Sequence, residues 1–335
     1  MRLYTKEQAV GRMNDLGLSR RPFIFVINYL QDASYVEDVA LIDSTELIYN
    51  LNGFTNESAL DKNYLYSYLD KKDTDIYWQA YPESFDIYRR SFHIVQSNIF
   101  AGNSFLTNLT CRTPIETDLT LEDIYFRSKA IYKLWVKDSF TVFSPEIFVR
   151  IRQGKISSYP MKGTVDASIA NAVQLLMNDP KEAAEHATIV DLIRNDLSMV
   201  ANRVSVSRYR YIDVLQTNQG AILQTSSEIQ GVLPDDYWKH LGDIIFKLLP
   251  AGSITGAPKK KTMQIIQEAE TYDRGFYTGV MGYFDGENLD SAVMIRFVEQ
   301  QGKEMYFKSG GGVTCQSDAE SEYNEMKQKV YVPIY

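Results

Sequence analysis

Cysteine, histidine and long apolar runs are scarce in this chain, and each shortage disfavours a class of protein. The two cysteines, Cys111 and Cys315, lie far apart and in no CxxC pattern, which disfavours a disulfide framework and a zinc site. No apolar run approaches the roughly 18 residues that a membrane span requires. The N-terminal residues, MRLYTKEQAVGRMND, lack the apolar core of a signal peptide. The sequence therefore predicts a soluble cytoplasmic protein with no membrane as its partner.

The chain is acidic overall, with a formal net charge of −8. A surface of this sign argues against nucleic acid as a partner, but it leaves room for a small anionic substrate because a few basic groups can line a cleft. The 335 residues, 44% of them hydrophobic, can bury a large core. Length alone permits one large domain or two ordinary ones.

Strand patterns outnumber helix patterns, and no repeat or Pro/Gly-rich linker divides the chain. Strands are predicted over residues 23–29, 36–42, 103–111, 140–143, 148–151, 155–159, 277–284, 291–299 and 304–308. Helices are predicted over residues 84–100, 121–135 and 180–194, after Pro258, and over 319–329. Asp179 is the expected N-cap of the third helix, with Pro180 at its first position. Strands and helices do not alternate regularly, which favours an α+β fold over a doubly wound parallel sheet.

Two pairs of glutamates are the first candidate site. Glu182 and Glu185 are three residues apart on one predicted helix, and Glu322 and Glu325 have the same spacing on another. This spacing places both members of a pair on one helix face. Four carboxylates without nearby histidine or cysteine would suit a hard cation such as Mg²⁺. The alternative is that both pairs are simply solvated, as most pairs with this spacing are.

A glycine run and a lysine are the next candidates. Gly310, Gly311 and Gly312 follow an apolar strand, and their exposed N–H groups could hold a carboxylate or phosphate; a tight strand-to-helix turn explains them equally well. Lys162, in Tyr-Pro-Met-Lys-Gly-Thr, could project into a cleft where loss of hydration favours the neutral, nucleophilic amine. The alternative for Lys162 is an exposed loop side chain.

Arg296 stands within an apolar strand, Ala-Val-Met-Ile-Arg-Phe-Val. A buried arginine needs a partner, and a carboxylate is its best match. The sequence leaves open whether that carboxylate belongs to the protein or to a substrate.

Together these segments resemble the chorismate-binding enzymes, a family that includes component I of anthranilate synthase, component I of aminodeoxychorismate synthase, and isochorismate and salicylate synthases. The resemblance covers roughly residues 85–330, in chain order. Its segments are GNSFLTNLT, SPEIFVRI, YPMKGT, KEAAEHATIVDLIRNDL, PAGSITGAPKKKTMQII, YTGVMGYF, AVMIRF and GGGVTCQSDAESEYNEMKQK. The resemblance implies a single large domain of extended antiparallel sheets, packed face to face with helices outside. Residues 1–84 would be its N-terminal strand-rich part and residues 85–335 its catalytic region.

The resemblance also assigns roles to particular positions. Glu185 and Glu325 match direct Mg²⁺ ligands, and Glu182 and Glu322 match carboxylates that hold metal-bound water. Positions that contact substrate carboxylates or the enolpyruvyl group are matched by Gly163, Thr164, Tyr277, Arg296, Gly310, Gly311, Gly312 and Lys329. Glu146 matches a general acid/base beside the leaving oxygen, a role that favours a pKa raised towards neutrality.

Two positions distinguish branches of the family. Isochorismate and salicylate synthases carry a water-activating lysine where this chain has Leu106. Lys162 matches the lysine of aminodeoxychorismate synthases, in which the amine is proposed to add to C2 of chorismate before ammonia adds at C4; anthranilate synthases usually have alanine there. The resemblance therefore implies component I of aminodeoxychorismate synthase, which makes 4-amino-4-deoxychorismate on the route to 4-aminobenzoate and folate. Anthranilate synthase component I is the alternative.

Some positions depart from the family pattern. Gln224 replaces a histidine that is linked with pyruvate elimination in anthranilate synthases, and residues 165–168 replace an arginine-rich stretch that follows Lys-Gly-Thr. Neither cysteine stands in the glycine-flanked turn of a glutaminase nucleophile. The family pattern therefore implies ammonia from a separate glutamine amidotransferase subunit.

Overall fold

The structure is a computed structural model that describes residues 1–60, 76–217 and 220–332. Its strands, in chain order, are β1 (Phe23–Ile27), β2 (Ser34–Asp38), β3 (Leu47–Leu51), β4 (Phe54–Thr55), β5 (Trp78–Ala80), β6 (Leu106–Thr117), β7 (Tyr132–Val136), β8 (Phe140–Ser144), β9 (Ile147–Arg152), β10 (Lys155–Ser158), β11 (Met161–Asp166), β12 (Asn202–Thr217), β13 (Gly220–Val232), β14 (Gly256–Ala257), β15 (Val280–Phe284), β16 (Leu289–Val293), β17 (Phe297–Gln301) and β18 (Glu304–Val313).

The α-helices, numbered in the same way, are α1 (Lys6–Leu18), α2 (Phe85–Phe100), α3 (Leu121–Arg127), α4 (Ala172–Asn178), α5 (Pro180–Ser198), α6 (Leu241–Leu248), α7 (Lys259–Ala269) and α8 (Ala319–Gln328). Asp179 caps α5 as predicted, since its Oδ1 accepts a hydrogen bond from the Glu182 N–H at 3.0 Å. Within the described ranges, no helix has the length and hydrophobicity needed to cross a membrane.

The strands form two antiparallel sheets. The first has the order β11-β13-β10-β9-β16-β15-β1-β2, with β12 also paired to β13. The second has the order β14-β6-β18-β17-β8-β7-β3-β4, with β5 also paired to β6. The strands before residue 84 belong to both sheets, and residues 61–75 lie outside the described part. The expected fold, two extended antiparallel sheets with helices outside, is confirmed.

The sequence of β1 shows why the sheets stack with helices outside them. All five residues of Phe-Ile-Phe-Val-Ile are buried. Ile24 and Val26 pack with residues of the second sheet, such as Tyr49 and Phe140, in the core between the sheets. Phe23 and Phe25 belong to the core that also contains the apolar faces of α1, α5 and α6. A strand covered on both faces needs a continuous apolar run, which is what β1 has.

The prediction of one strand over residues 291–299 is wrong, because the structure has two strands there. β16 ends at Val293 in the first sheet, and β17 begins at Phe297 in the second. Arg296 lies at the crossover with a left-handed backbone, φ 55°. The apolar residues continue through the crossover because both strands are buried, so the pattern alone does not mark the break.

The predicted helix over residues 121–135 is also wrong beyond its first half. α3 ends at Arg127, and residues 132–136 form β7, which pairs with β8. Four of the five residues of β7 are buried, including Tyr132 and Trp135. Aromatic residues suit a pleated buried surface better than a helix, and here sheet pairing overrides the helical spacing. Likewise, β2 ends at Asp38 rather than continuing to residue 42, because Asp38 accepts a hydrogen bond from the Ala40 N–H at 2.9 Å and starts a short 3₁₀ turn.

The segment that connects α7 to β15 contains a buried ion pair, and this pair also contacts other parts of the fold. Arg274, 2% exposed, binds Glu270 through Nε and Nη2 at 2.8 and 2.6 Å. Nη2 also donates to the Asn108 carbonyl at 2.6 Å, and Nη1 donates to the Ile254 carbonyl at 3.0 Å. Glu270 Oε1 in turn accepts from the Thr110 N–H at 2.8 Å. β6 and the segment before β14 are therefore tied to one guanidinium.

The first prediction concerns the stability that depends on this pair. Replacing Glu270→Ala leaves a buried, uncompensated arginine, and we expect the free energy of unfolding to fall by about 3–5 kcal/mol. Urea unfolding measures the change. The control is Arg89→Ala, which removes an exposed pair with Asp86 (3.1 Å) and should cost no more than about 1 kcal/mol. Equal losses in the two variants would contradict the prediction.

Candidate functional site

A cavity of about 230 Å³ opens where β11, the end of β18 and α8 meet. Nine of the residues singled out from the sequence line it: Glu146, Lys162, Tyr277, Arg296, Gly310, Gly311, Gly312, Glu325 and Lys329. The first and last of these residues, Glu146 and Lys329, are more than 180 positions apart in the sequence, so the fold brings the sequence-predicted groups together. The cavity is the candidate active site.

Lys162 reaches this cavity because β11 is irregular at the next residue. The pairing of β11 with β13 shifts register between Lys162 and Thr164, and Gly163 has φ 68°. A side chain on Gly163 would place its Cβ 3.0 Å from Glu182 Oε2, so both backbone and space require glycine there. Thr164 is exposed, outside the residues that line the cavity. A bulge of this kind re-aims the neighbouring side chain.

The triple glycine is strand, not the loop expected from the sequence. β18 continues to Val313 and pairs with β6, with Gly312 opposite Asn108. The register with β6 makes this stretch a strand, while the Gly310 carbonyl turns away from β6 and accepts from Lys329 Nζ at 2.9 Å. A Cβ on Gly312 would lie 3.1 Å from Leu106 Cδ1 and 3.6 Å from Lys162 Nζ. A larger residue at this end of β18 would therefore push against Leu106 and lie close to the Lys162 amine.

Arg296 and Lys329 place positive charge on one wall of the cavity. Arg296 Nη1 donates to the Lys329 carbonyl at 3.0 Å, at the C-terminal end of α8. Lys329 Nζ donates to the Gly310 carbonyl at 2.9 Å and pairs with Glu325 at 2.8 Å. The protein partner found for Arg296 is thus a main-chain carbonyl rather than a carboxylate. Two cations on one wall suit an anionic ligand.

Glu146 is placed to act as an acid. The Ser253 hydroxyl donates to Glu146 Oε1 at 2.5 Å. Desolvation raises the pKa of the Glu146 carboxyl, while the Ser253 hydrogen bond and the charges of Lys162 and Lys329 partly oppose it. A raised pKa favours a protonated carboxyl that can donate to a leaving group.

The four glutamates supply oxygen donors but do not converge on one point. Glu185 Oε2 lies 3.5 Å from Lys162 Nζ, and Glu325 pairs with Lys329. Glu322 Oε1 accepts from the Ser317 hydroxyl at 2.8 Å. Among the described residues, no three acidic, histidine or cysteine side chains are grouped as metal ligands. Carboxylate oxygens are suitable ligands for a hard cation. To bind one together, however, Glu185 would have to turn away from Lys162 and Glu325 away from Lys329.

A buried histidine fastens α5 beside the cavity. His186 Nε2 lies 2.6 Å from Ser227 Oγ, and the Ser227 N–H donates to the Pro160 carbonyl at 3.0 Å. Burial lowers the pKa of His186 to about 4, so the ring is neutral at physiological pH. The contact holds the helix turn that bears Glu185 against the strand that leads to Lys162.

Several polar residues that line the cavity were not singled out from the sequence, among them Asn108, Asp196 and Ser253. Asp196 pairs with Lys259 at 2.6 Å, which joins two segments of the family resemblance. Asn108 stands two residues after Leu106, on the same face of β6. The strand periodicity could have identified Asn108, whereas the Ser253–Glu146 contact depends on tertiary structure.

The second prediction follows from the raised pKa of Glu146. The native state holds the Glu146 proton at pH values where the unfolded chain has lost it, so stability falls as pH rises from the ordinary glutamate pKa through the raised native value. Glu146→Gln should flatten this dependence. The measurement is the free energy of unfolding at pH 5 and pH 8, with the exposed Glu268→Gln as control. An unchanged pH dependence in Glu146→Gln would contradict the assignment.

Comparisons with known proteins agree on one family. The family model described as "chorismate binding enzyme" matches residues 44–334. An uncharacterised PabA-like protein of Haemophilus influenzae is 44% identical over 330 residues, which cover 98% of each chain. Aminodeoxychorismate synthase component 1 of Bacillus subtilis is 31% identical over 75% of this chain and 56% of its own length.

A solved structure gives the same result for the fold. Anthranilate synthase component I from Streptococcus pneumoniae superposes with a TM-score of 0.65 and is 25% identical. The match covers 82% of this chain and 65% of that one, so this chain spans less than two thirds of its length. Both aminating activities named among the relatives are therefore represented, and similarity alone does not choose between them.

Proposed function

The chain belongs to the chorismate-binding enzyme family, and we propose that it aminates chorismate at C4 to give 4-amino-4-deoxychorismate. The observation that carries this proposal is the position of Lys162. Its Nζ lies in the cavity, 3.6 Å from where a Cβ on Gly312 would be, at the bare end of β18. Amination at C4 by way of C2 requires a second nucleophile, and Lys162 is the amine in this cavity that is best placed to serve.

The proposed reaction has two displacements. The neutral Lys162 amine adds to C2, the ring electrons shift, and the C4–O bond breaks as Glu146 donates its proton, so that water leaves. Ammonia then adds to C4, and the bond between C2 and Lys162 breaks with its electron pair returning to the amine. The nitrogen now bonded to C4 carries an extra proton, which returns to the Glu146 carboxylate, so that chorismate plus ammonia gives the amino product and water. Lys162 acts as a covalent catalyst in this scheme.

We assign Mg²⁺ binding to the two glutamate pairs, with Glu185 and Glu325 as direct ligands and Glu182 and Glu322 holding bound water. The ion would supply positive charge against a substrate carboxylate. Glu185, which lies 3.5 Å from Lys162 Nζ, would leave that amine when it turns to the cation, so that Lys162 could face the substrate.

The cationic wall suits the carboxylates of chorismate. Arg296 and Lys329 line the cavity together with the buried Tyr277 and can hold a dianion whose reacting ring faces Lys162. The charge is local, since the chain as a whole carries −8. This arrangement supports a small anionic substrate.

We propose that a separate glutamine amidotransferase subunit supplies the ammonia. Cys111 is unsuited to a glutaminase reaction, because it is buried and donates its thiol to Glu83 at 3.2 Å. Burial raises the pKa of the Cys111 thiol well above its ordinary value, which suppresses the reactive thiolate.

Anthranilate synthase component I is the second candidate, favoured by the similarity to the Streptococcus pneumoniae structure. It would require amination at C2 and then loss of pyruvate. Lys162 at the cavity wall and Gln224 in place of the family's histidine both favour a reaction that stops at the amino-deoxy product.

The third prediction separates the two candidates. With chorismate, Mg²⁺ and ammonium, the protein should form 4-amino-4-deoxychorismate and no fluorescent anthranilate. Lys162→Ala should lower the rate of amination by about 10²- to 10⁴-fold, because it removes the nucleophile. The exposed Lys155→Ala is the matched control and should retain the rate. Anthranilate as the direct product, or full C4 amination by Lys162→Ala, would refute the proposal.

The fourth prediction tests the metal site without relying on turnover. Mn²⁺ in place of Mg²⁺ gives an electron paramagnetic resonance signal that weakens on binding, so the dissociation constant can be measured directly. Glu185→Gln and Glu325→Gln should each weaken binding by at least about tenfold, because each removes a charged oxygen ligand. Glu268→Gln, at an exposed position, should not. Unchanged affinity in both ligand variants would exclude these residues as the site.

A further inference from the structure

Asn108 lies in the cavity and has no role in the reaction described above. It is the one carboxamide among the described residues that line the cavity. Its N–H donates to the Thr255 carbonyl at 3.0 Å, and its C=O accepts from Arg274 Nη2 at 2.6 Å. Both main-chain groups are fixed, one of them by a buried guanidinium. The Cα of Asn108, from which the side chain extends, is therefore held in place.

Asn108 shares the reactive wall with Lys162. It lies directly opposite Gly312 in the pairing of β6 with β18, and opposite residues project to the same side of a sheet. Gly312 has no side chain, and a Cβ there would lie 3.6 Å from Lys162 Nζ. Asn108 and Lys162 thus line the same cavity beside Gly312, with no side chain from β18 between them.

The cations that line the cavity are poorly suited to hold ammonia. Ammonia must direct its lone pair at carbon, so its N–H groups need acceptors on the far side. Lys162, Arg296 and Lys329 are donors only. Leu106, the neighbour of Asn108 on the same face of β6, is apolar and makes no hydrogen bond through its side chain.

A neutral acceptor suits ammonia better than a charged one. A carboxylate stabilises ammonium, whose nitrogen has no lone pair, because an opposite charge favours the protonated form. An amide oxygen accepts an N–H bond without adding a full negative charge. The Asn108 Oδ1 atom has this property.

We propose that Asn108 orients the incoming ammonia, its Oδ1 accepting an N–H bond while the lone pair faces C4. Asn108 forms no covalent bond and transfers no proton. This inference rests on the proposed amination of chorismate and adds the group that positions its second substrate.

The fifth prediction uses a matched pair of replacements, Asn108→Val and Asn108→Thr. Both are β-branched residues that suit a strand, and they differ by one methyl group against one hydroxyl. The rate is measured against ammonium concentration at saturating chorismate, and the dissociation constant of chorismate is measured separately by titration. We expect Asn108→Val to lower kcat/KM for ammonia by about 10- to 100-fold, the effect of one hydrogen bond to a group that gains charge. Asn108→Thr should recover part of this loss, and chorismate affinity should stay within about twofold of the parent.

The control is the exposed Asn195→Ala on α5, which should match the parent protein. Equal kcat/KM for ammonia in the Val variant and the parent would overturn the inference, as would equal losses in the Val and Thr variants. Weaker chorismate binding with an unchanged ammonia dependence would assign Asn108 to the organic substrate instead. If the parent protein forms no amino product at any ammonium concentration, the proposed function itself fails, which is a different result. The chorismate titration and thermal melting show whether each variant is folded.

Discussion

The buried ion pair between Arg274 and Glu270 is the contact on which the geometry of the cavity depends. A guanidinium removed from water needs all its donors satisfied, and here they are met by a carboxylate and by main-chain carbonyls of β6 and the segment before β14. Those same segments carry Asn108 and Ser253, the second of which holds Glu146. The reacting groups are therefore positioned by a contact that touches no substrate. Removing one partner of such a pair is far more costly than its net contribution to stability would imply.

Charge balance on the cavity walls suggests how the site is prepared for a ligand. Lys162 and Lys329 each neutralise one glutamate, Glu185 and Glu325 respectively. The two glutamates belong to different helices, α5 and α8, that flank the bare end of β18. A cation and an anion that enter together would exchange these internal pairs for external ones with little change in net charge.

Sequence reasoning reached further for the site than for the elements that carry it. The resemblance brought together Lys162, Glu146 and the glycine run, and the structure places all three at one cavity. The helix predicted over residues 121–135 was wrong at β7, where buried apolar and aromatic residues at helical spacing belong to a sheet. The polar helix α1 and the strand β12 were missed, although Val204 and Val206 of β12 alternate with polar residues as in a strand. Strand periodicity puts Asn108 on the same face of β6 as Leu106, but that it lies opposite Gly312 follows only from the register between β6 and β18.

The crossover at Arg296 is a short covalent connection between the two sheets. The chain leaves the first sheet at Val293 and joins the second at Phe297, and the arginine between them grips the end of α8 through the Lys329 carbonyl. If one sheet shifted relative to the other, Arg296 would move with respect to the rest of the cavity wall. A ligand carboxylate bound to Arg296 would then restrict the movement of the two sheets relative to each other. Substrate occupancy should accordingly increase the rigidity of the two strands that flank Arg296, and slower hydrogen exchange in β16 and β17 would show it.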